Sequence, residues 1–177
     1  MDCPQCKGYR LEPYELEVGL VASRCSKCSG TLLPLMNYRY WADSNPDLKV
    51  DPSPVLVAEE SDKAKICPKC SRMMTKFKIG VEPTNKLELC TSCDEAWLDK
   101  GEWQLLKTLD MYDKLPSIFT DAWQRNIRIK QQEKNLKTHY QNEWGEETFE
   151  KVDDFKQWLN QQTSKSQIVQ YLITKNE

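Results

Sequence analysis

The eight cysteines of this chain fall into CxxC pairs, and their spacing constrains the fold more than any other feature of the sequence. The first two pairs are separated by 18 residues and the last two pairs by 19. The first set contains Cys3, Cys6, Cys25 and Cys28, and the second set contains Cys67, Cys70, Cys90 and Cys93. Two CxxC pairs at this separation are typical of a site in which four thiolates bind one zinc ion. The sequence therefore predicts two Zn²⁺ ions, each in a four-cysteine site.

Three other uses of paired cysteines are alternatives to zinc. Disulfides are expected in secreted proteins, but the first 20 residues lack the apolar core of a signal peptide,. Iron in a rubredoxin-like site uses the same four sulfurs, so the spacing does not distinguish the two metals. A redox CxxC motif follows a strand and opens a helix in a βαβ unit, and the sequence predicts no such unit.

The composition favours small folding units stabilised by metal. Of the 177 residues, 39% are hydrophobic and 29% are charged, which is little apolar material for one large core,. No run of 18 apolar residues is present, so a membrane span is not predicted,. We expect a cytoplasmic protein whose cysteines stay reduced.

Each cysteine set has the pattern of a zinc ribbon, in which a short antiparallel hairpin lies between two metal-binding turns. In the first set, Leu16, Val18 and Leu20 alternate with other residues between the CxxC pairs,. In the second set, Leu87 and Leu89 lead into the last pair in the same way. The sequence predicts zinc ribbons over residues 1–42 and 66–115.

The second ribbon is predicted to end in a helix. Asp99 and Glu102 have the spacing of a capping box, and Leu98 and Trp103 fall at the positions of a hydrophobic staple,. This helix is expected to stop before Pro116. The corresponding stretch after Cys28 lacks a capping box and is predicted as helix or strand.

The remaining chain divides into a linker and a helical region. Residues 43–65 contain several prolines and mixed charges, which predicts an extended linker,. Residues 116–177 contain no cysteine and few helix breakers, so they are predicted to be helical,. Gly145 is expected to end the first long helix. Together these features predict a small metal-stapled α+β protein, with two zinc ribbons followed by an α-helical C-terminal region.

A basic cluster near the second cysteine set is the candidate nucleic-acid interface. Its residues are Lys65, Lys69, Arg72, Lys76, Lys78 and Lys86. Basic side chains contact phosphates, but the net charge of −2 for the whole chain argues against a general nucleic-acid coat,. The alternative is a solvated surface whose lysines offset the formal double negative charge of a four-thiolate zinc centre.

Two further sets of residues bear on partners and catalysis. Tyr38, Tyr40 and Trp41 form an aromatic cluster that is a candidate protein-binding patch, because aromatic residues are enriched at interfaces,. The alternative is that this cluster packs one ribbon against the other. His139 is the single histidine and has no nucleophile or carboxylate partner in its motif, so no enzyme activity and no small-molecule substrate are predicted,.

The second cysteine set resembles the bacterial family of transcription factor IIB type zinc ribbon domains. The pattern of that family, CPxC followed by a methionine and then CxxCGGxWLDxGELxxL, is similar to residues 67–74 and 90–103. Asp94 and Glu95 replace the two glycines, and Trp103 replaces the leucine of GEL. The first set resembles the family only in its CxxC pairs and in Ser29-Gly30.

The resemblance implies zinc binding and a role in a nucleic-acid or transcription-related assembly, although fold similarity alone is a weak guide to function. Two partner classes stay open. The second ribbon is one candidate interface, for nucleic acid. The C-terminal helices are the other, for a protein partner of an adaptor or regulator. A helix-turn-helix in those last helices is disfavoured because they lack a basic recognition helix.

Overall fold

A computed structural model describes residues 1–46 and 63–174. The strands in these residues are β1 (Leu11–Glu17), β2 (Leu20–Cys25), β3 (Thr31–Pro34), β4 (Thr75–Lys78), β5 (Lys86–Cys90) and β6 (Glu95–Leu98). They form one antiparallel sheet in the order β1-β2-β3-β6-β5-β4. The structure confirms the predicted α+β class with short antiparallel strands, and it places the strands of both cysteine sets in a single sheet.

The centre of the sheet is the pairing of β3 with β6, which joins the two halves of the cysteine-containing region. Leu32 lies four residues after Cys28, and Trp97 lies four residues after Cys93. These two residues are direct partners in the antiparallel register. The strand order is therefore symmetric about the β3–β6 pair, and equivalent positions of the two halves meet at its middle.

The helices in the described residues are α1 (Leu35–Ser44), α2 (Glu102–Thr108), α3 (Leu115–Ile118), α4 (Asp121–Trp144), α5 (Glu146–Asn160) and α6 (Lys165–Ile173). The stretch after Cys28, predicted as helix or strand, forms both β3 and α1. Pro34 occupies the N-cap of α1, where its missing N–H costs no helical hydrogen bond,. Leu35, Tyr38 and Trp41 then form the buried face of α1.

The capping box predicted at the start of α2 forms only in part. The Glu102 carboxylate accepts a hydrogen bond from the Asp99 backbone N–H at 2.7 Å. The Asp99 side chain does not cap the helix, because its carboxylate accepts hydrogen bonds from Trp97 and Lys65 instead. Gly101, with φ of 87°, is the N-cap residue, and α2 ends at Thr108, short of the predicted end.

One hydrophobic core serves both halves of the sheet. Its buried members come from β2, β3, β5 and β6 and from α1, α2 and α3, which cover one face of the sheet. Trp41 of α1 meets Trp103 of α2 edge to face, with ring centroids 6.1 Å apart. The expectation of separate small units is therefore wrong for this face, because residues of both halves pack in one apolar core,.

The chain divides into two compact units, Met1–Arg128 and Ile129–Glu177. In the second unit the described residues are helical, as predicted. Gly145 follows the last residue of α4 with φ of 79°, which agrees with its predicted role at a helix end. Most of the predicted linker, residues 47–62, lies outside the described residues, whereas positions 43 and 44 belong to α1.

Candidate metal centres

Each CxxC pair lies in a tight turn that brings backbone amides to a sulfur. In the first turn, the amides of Gln5 and Cys6 point at Cys3 Sγ, with N···S distances of 3.4 and 3.3 Å. The amides two and three residues after Cys67 bond to its sulfur in the same way. Such N–H···S bonds stabilise a thiolate more than a neutral thiol, which suits a sulfur that binds a cation.

The turns close through residues with left-handed backbone conformations. Ser29 has φ of 59° and donates its N–H to the Cys25 carbonyl at 2.9 Å. Asp94 occupies the equivalent place in the second set, with φ of 57° and an N–H bond of 2.8 Å to Cys90. Serine and aspartate tolerate this conformation less well than glycine.

The turns gather the eight sulfurs into two compact clusters. The four sulfurs of each predicted set lie within 4.8 Å of one another, and each cluster has two buried and two half-buried cysteines. Sγ of Cys3 and Cys28 are 3.7 Å apart, and Sγ of Cys70 and Cys90 are 3.5 Å apart. A tetrahedral zinc site with Zn–S bonds of about 2.3 Å needs sulfurs about 3.8 Å apart, so each cluster has room for one ion.

The same distances exclude disulfides, because a bonded pair requires an S–S separation of about 2.0 Å. All eight cysteines are free thiols in this structure. The structure thus brings the four sulfurs of each predicted set together and holds two sites that can each bind a metal ion.

Close packing of four sulfurs also separates the pKa values of the thiols. Backbone hydrogen bonding from Arg72 and contacts with the other sulfurs lower the pKa of Cys70 to about 7. Hydrogen bonding to Cys70, with burial and the other sulfurs, raises the pKa of its neighbour Cys93 to about 12. In the first cluster, the pKa of Cys25 is lowered to about 7. Burial alone would raise it, but hydrogen bonds from backbone amides and from other sulfurs outweigh the effect of burial. A cluster that resists full ionisation on its own is expected to ionise when a cation is bound.

An apolar wall packs against both clusters on the face of the sheet opposite the helices,. Leu32 and Trp97 are fully buried and belong to the same packed group as the cysteines of both clusters. Gly30 lies against the Trp97 ring so closely that an added Cβ would overlap the ring. The ring therefore defines the position of the turn that carries Cys25 and Cys28.

A buried polar network borders this wall, and the sequence did not predict it. Lys65 donates to Glu88 at 2.5 Å and to Asp99 at 2.9 Å, and all three side chains are at most 5% exposed. Glu102, also buried, holds the Asp99 backbone. Burial and the nearby charges of Asp99 and Glu88 raise the pKa of Glu102 to about 8. The hydrogen bond from the Asp99 N–H and the charge of Lys65 act in the opposite direction but are outweighed.

The predicted basic interface is only partly at the surface. Lys65 was predicted to contact nucleic acid, and this is wrong because its side chain is buried between carboxylates. Lys69 pairs with Glu95, and Arg72 donates to the Ser92 hydroxyl at 2.6 Å. Of the others, Lys78 is exposed, whereas Lys76 and Lys86 are half-buried.

The predicted aromatic patch on α1 is also only partly at the surface. Tyr38 and Trp41 are buried, so their predicted role as partner-binding residues is wrong and they belong to the core. The Tyr38 hydroxyl donates to the Tyr112 carbonyl at 2.7 Å, which fastens the segment after α2 to α1. Tyr40 is 76% exposed and is the one member of the predicted patch at the surface.

Comparison with protein-family models, curated proteins and solved structures found no match to this chain. None of the helices in residues 1–46 and 63–174 is both long and apolar enough to cross a membrane.

Proposed function

We propose that this chain is a non-enzymatic zinc protein in which two zinc ribbons, fused through one sheet, form a rigid scaffold for a protein-docking helical unit. The observation that carries the proposal is the pair of four-sulfur clusters. Four thiolates complete the tetrahedral coordination of zinc, so neither water nor substrate has an open position on the ion. Such sites supply folding free energy rather than catalysis.

The resemblance to transcription factor IIB type zinc ribbons is consistent with the local geometry. The family has glycine where this chain has Asp94, and the left-handed φ of 57° at that position explains why glycine suits it,. Trp97 and Leu98 of the resembled motif are both fully buried in the sheet. These observations support a ribbon fold for the second half.

A protein partner is the better supported of the two partner classes. In the described part of Ile129–Glu177, Phe149 and Leu159 are the buried hydrophobic residues. Ten other large hydrophobic residues there are between 38% and 78% exposed, among them Trp158, Leu172 and Ile173. Exposed apolar side chains on three consecutive helices favour a protein partner over a polyanion.

Nucleic acid is less well supported. Lys65 is buried and Lys69 and Lys76 lie close to carboxylates, so few members of the basic cluster present an uncompensated charge. A phosphate-binding surface requires several such charges in reach of one backbone.

Paired substitutions on α6 test the docking proposal. Val169→Ser with Leu172→Ser removes two exposed apolar side chains, whereas Gln167→Ser with Gln170→Ser changes two exposed polar ones on the same helix. Neither pair removes a buried side chain. We expect the apolar variant to lose a copurifying protein at least tenfold in quantitative affinity capture from the native cell, and the polar variant to retain it.

The proposal would be overturned by a different pattern of capture. Equal retention of the protein by both variants would exclude this face of α6. Copurification of nucleic acid that is lost at high salt and in a Lys76→Ala/Lys78→Ala variant would instead support the ribbon as the interface.

A further inference from the structure

We propose that the two metal sites are coupled, so that zinc bound in one cluster raises the affinity of the other. The coupling arises because each half of the sheet holds a cysteine turn of the other half. The inference rests on the proposed function, since both clusters must bind metal. It concerns residues that bind no metal themselves and act by positioning the turns that do.

The first contact runs from the second half to the first cluster. Gln5 lies inside the first CxxC turn, and its side-chain amide donates to Asp99 Oδ1 at 2.7 Å. The backbone amide of Gln5 points at Cys3 Sγ. Asp99 therefore anchors the turn that orients the first sulfur of the chain.

Asp99 is itself fixed by the second half. Its carboxylate accepts hydrogen bonds from Trp97 Nε1 at 2.8 Å and from Lys65 Nζ at 2.9 Å. The Lys65 carbonyl accepts the Met74 N–H at 2.9 Å, in the short ladder that encloses Cys67 and Cys70. Folding of the second cluster thus fixes the carboxylate that the first cluster needs.

The second contact runs in the opposite direction. The Leu35 N–H, at the start of α1, donates to the Asp94 carbonyl at 2.9 Å. Arg39, one turn further along α1, forms an ion pair with the Asp94 side chain. Asp94 directly follows Cys93, so a helix of the first half holds the last turn of the second cluster.

The third contact is steric. The Gly30 carbonyl accepts a hydrogen bond from the Cys25 N–H at 2.9 Å. The Trp97 ring occupies the space beside the Gly30 Cα. The Trp97 ring therefore packs directly against the turn that carries Cys25 and Cys28. Its Nε1 donates to Asp99 at 2.8 Å, so a residue of the second half helps to fix the ring beside that turn.

These contacts predict positive coupling for a general reason. A turn that must be ordered before it binds metal has a weakened apparent affinity, and a partner that orders it in advance removes that cost. Coupling between sites in proteins typically changes affinity by about 5–150-fold. We expect zinc affinity to change about tenfold here, toward the lower end of that range, because the three contacts join the turns that carry the cysteines and do not involve the sulfur atoms themselves.

A zinc titration of the intact protein, buffered by a chelator and followed by native mass spectrometry, measures the coupling. For two independent and equal sites the one-zinc species reaches about 50% at half saturation, and unequal affinities raise that share. Tenfold positive coupling lowers it to about 25%. A deficit of the one-zinc species is therefore diagnostic even when the sites differ in affinity.

Gln5→Ala isolates the first contact while retaining all eight cysteines. We expect this variant to increase the share of the one-zinc species, because the first turn is no longer anchored to Asp99. Gln157→Ala is the matched control, since that exposed glutamine bonds within the helical unit. A second measurement uses Cys3→Ser with Cys6→Ser, which should weaken zinc binding at the other cluster about tenfold.

The outcomes separate this inference from the proposed function. A one-zinc share of about 50% or more in the unsubstituted protein, together with unchanged zinc affinity of the second cluster in the Cys3→Ser/Cys6→Ser variant, would overturn the coupling and leave the zinc sites intact. A Gln5→Ala titration identical to that of the unsubstituted protein would show that the hydrogen bond between Gln5 and Asp99 does not contribute to the coupling. Failure to bind any zinc would overturn the proposed function instead.

Discussion

The two halves of the sheet share one backbone plan and differ at the positions where they meet. Leu32 in the first half corresponds to Trp97 in the second, and Pro34 corresponds to Asp99. The second half contributes the Trp97 ring and the buried Asp99 carboxylate. The first half contributes Gly30, against which the Trp97 ring packs. The repeated cysteine turns thus have the same local geometry, whereas residues that differ between the repeats, such as Trp97 and Gly30, join the two halves into one structure.

The largest expected effect comes from removing a metal ligand, which tests whether the halves depend equally on metal. Cys25→Ser and Cys90→Ser each replace a buried thiol at equivalent positions. Zinc binding contributes about 10–16 kcal/mol to such modules, so each variant should lose one ion and the fold around it. Metal analysis with circular dichroism checks this, and Ser26→Ala and Thr91→Ala are controls at equivalent exposed positions within the same turns.

The next effect concerns the charge that only the second half buries. Lys65→Met removes the buried cation shared by the carboxylates of Glu88 and Asp99, which is expected to cost about 3–5 kcal/mol,. Lys63→Met, at an exposed position, should be nearly neutral,. Urea unfolding of the zinc-loaded proteins measures both. Equal stability of the two variants would show that the buried network contributes nothing.

A smaller effect is expected where the ring of one half meets the glycine of the other. Gly30→Ala places a methyl group against Trp97, which should destabilise the protein by about 1–3 kcal/mol through overpacking,. Trp97→Phe provides a smaller ring, so the double variant should lose less stability than the sum of the two single variants. Additive losses in thermal unfolding would contradict the contact.

The smallest effect is a change in pH dependence caused by Glu102. Its pKa is raised from 4.5 to about 8 in the fold, so the folded protein binds this proton more tightly than the unfolded chain. The contribution of Glu102 to the free energy of unfolding is therefore largest below pH 4.5 and decreases as the pH rises from 4.5 to about 8,.

Glu102→Gln keeps an acceptor for the Asp99 N–H and removes the titration. We expect it to flatten the pH profile of stability and to stabilise the zinc-loaded protein by on the order of 1 kcal/mol at pH 9. Gln104→Glu, on the same helix at a less buried position, serves as a control. An unchanged slope in Glu102→Gln would show that the carboxyl does not titrate in this window.

Features governed by local spacing were predictable from the sequence. The sulfur sets followed from CxxC spacing. The hairpin expected between the first pairs is present as β1 and β2, although Val18 of the alternating residues lies in its turn rather than in a strand. Gly145 marked the end of the long helix because glycine adopts positive φ without strain. Each of these depends on neighbours a few residues away or on ligand chemistry that tolerates few alternatives.

Features governed by long-range contacts were not predictable. β3 and β6 are strands because they pair with each other across the sheet, and neither has a strong strand pattern of its own. Lys65 looked like one more surface lysine, since nothing nearby in the sequence indicates that Glu88 and Asp99 surround it. Tyr38 and Trp41 lie at i and i+3 on α1, a spacing that fitted either an exposed patch or packing between the ribbons, and the burial of both side chains agrees with packing.

X-ray absorption spectroscopy at the zinc edge, combined with metal analysis of the intact purified protein, identifies the ion and its ligands in both clusters. We expect two zinc ions per chain, each surrounded by four sulfur atoms at about 2.3 Å. Fewer than two ions per chain, or nitrogen or oxygen in the first coordination shell, would contradict this expectation.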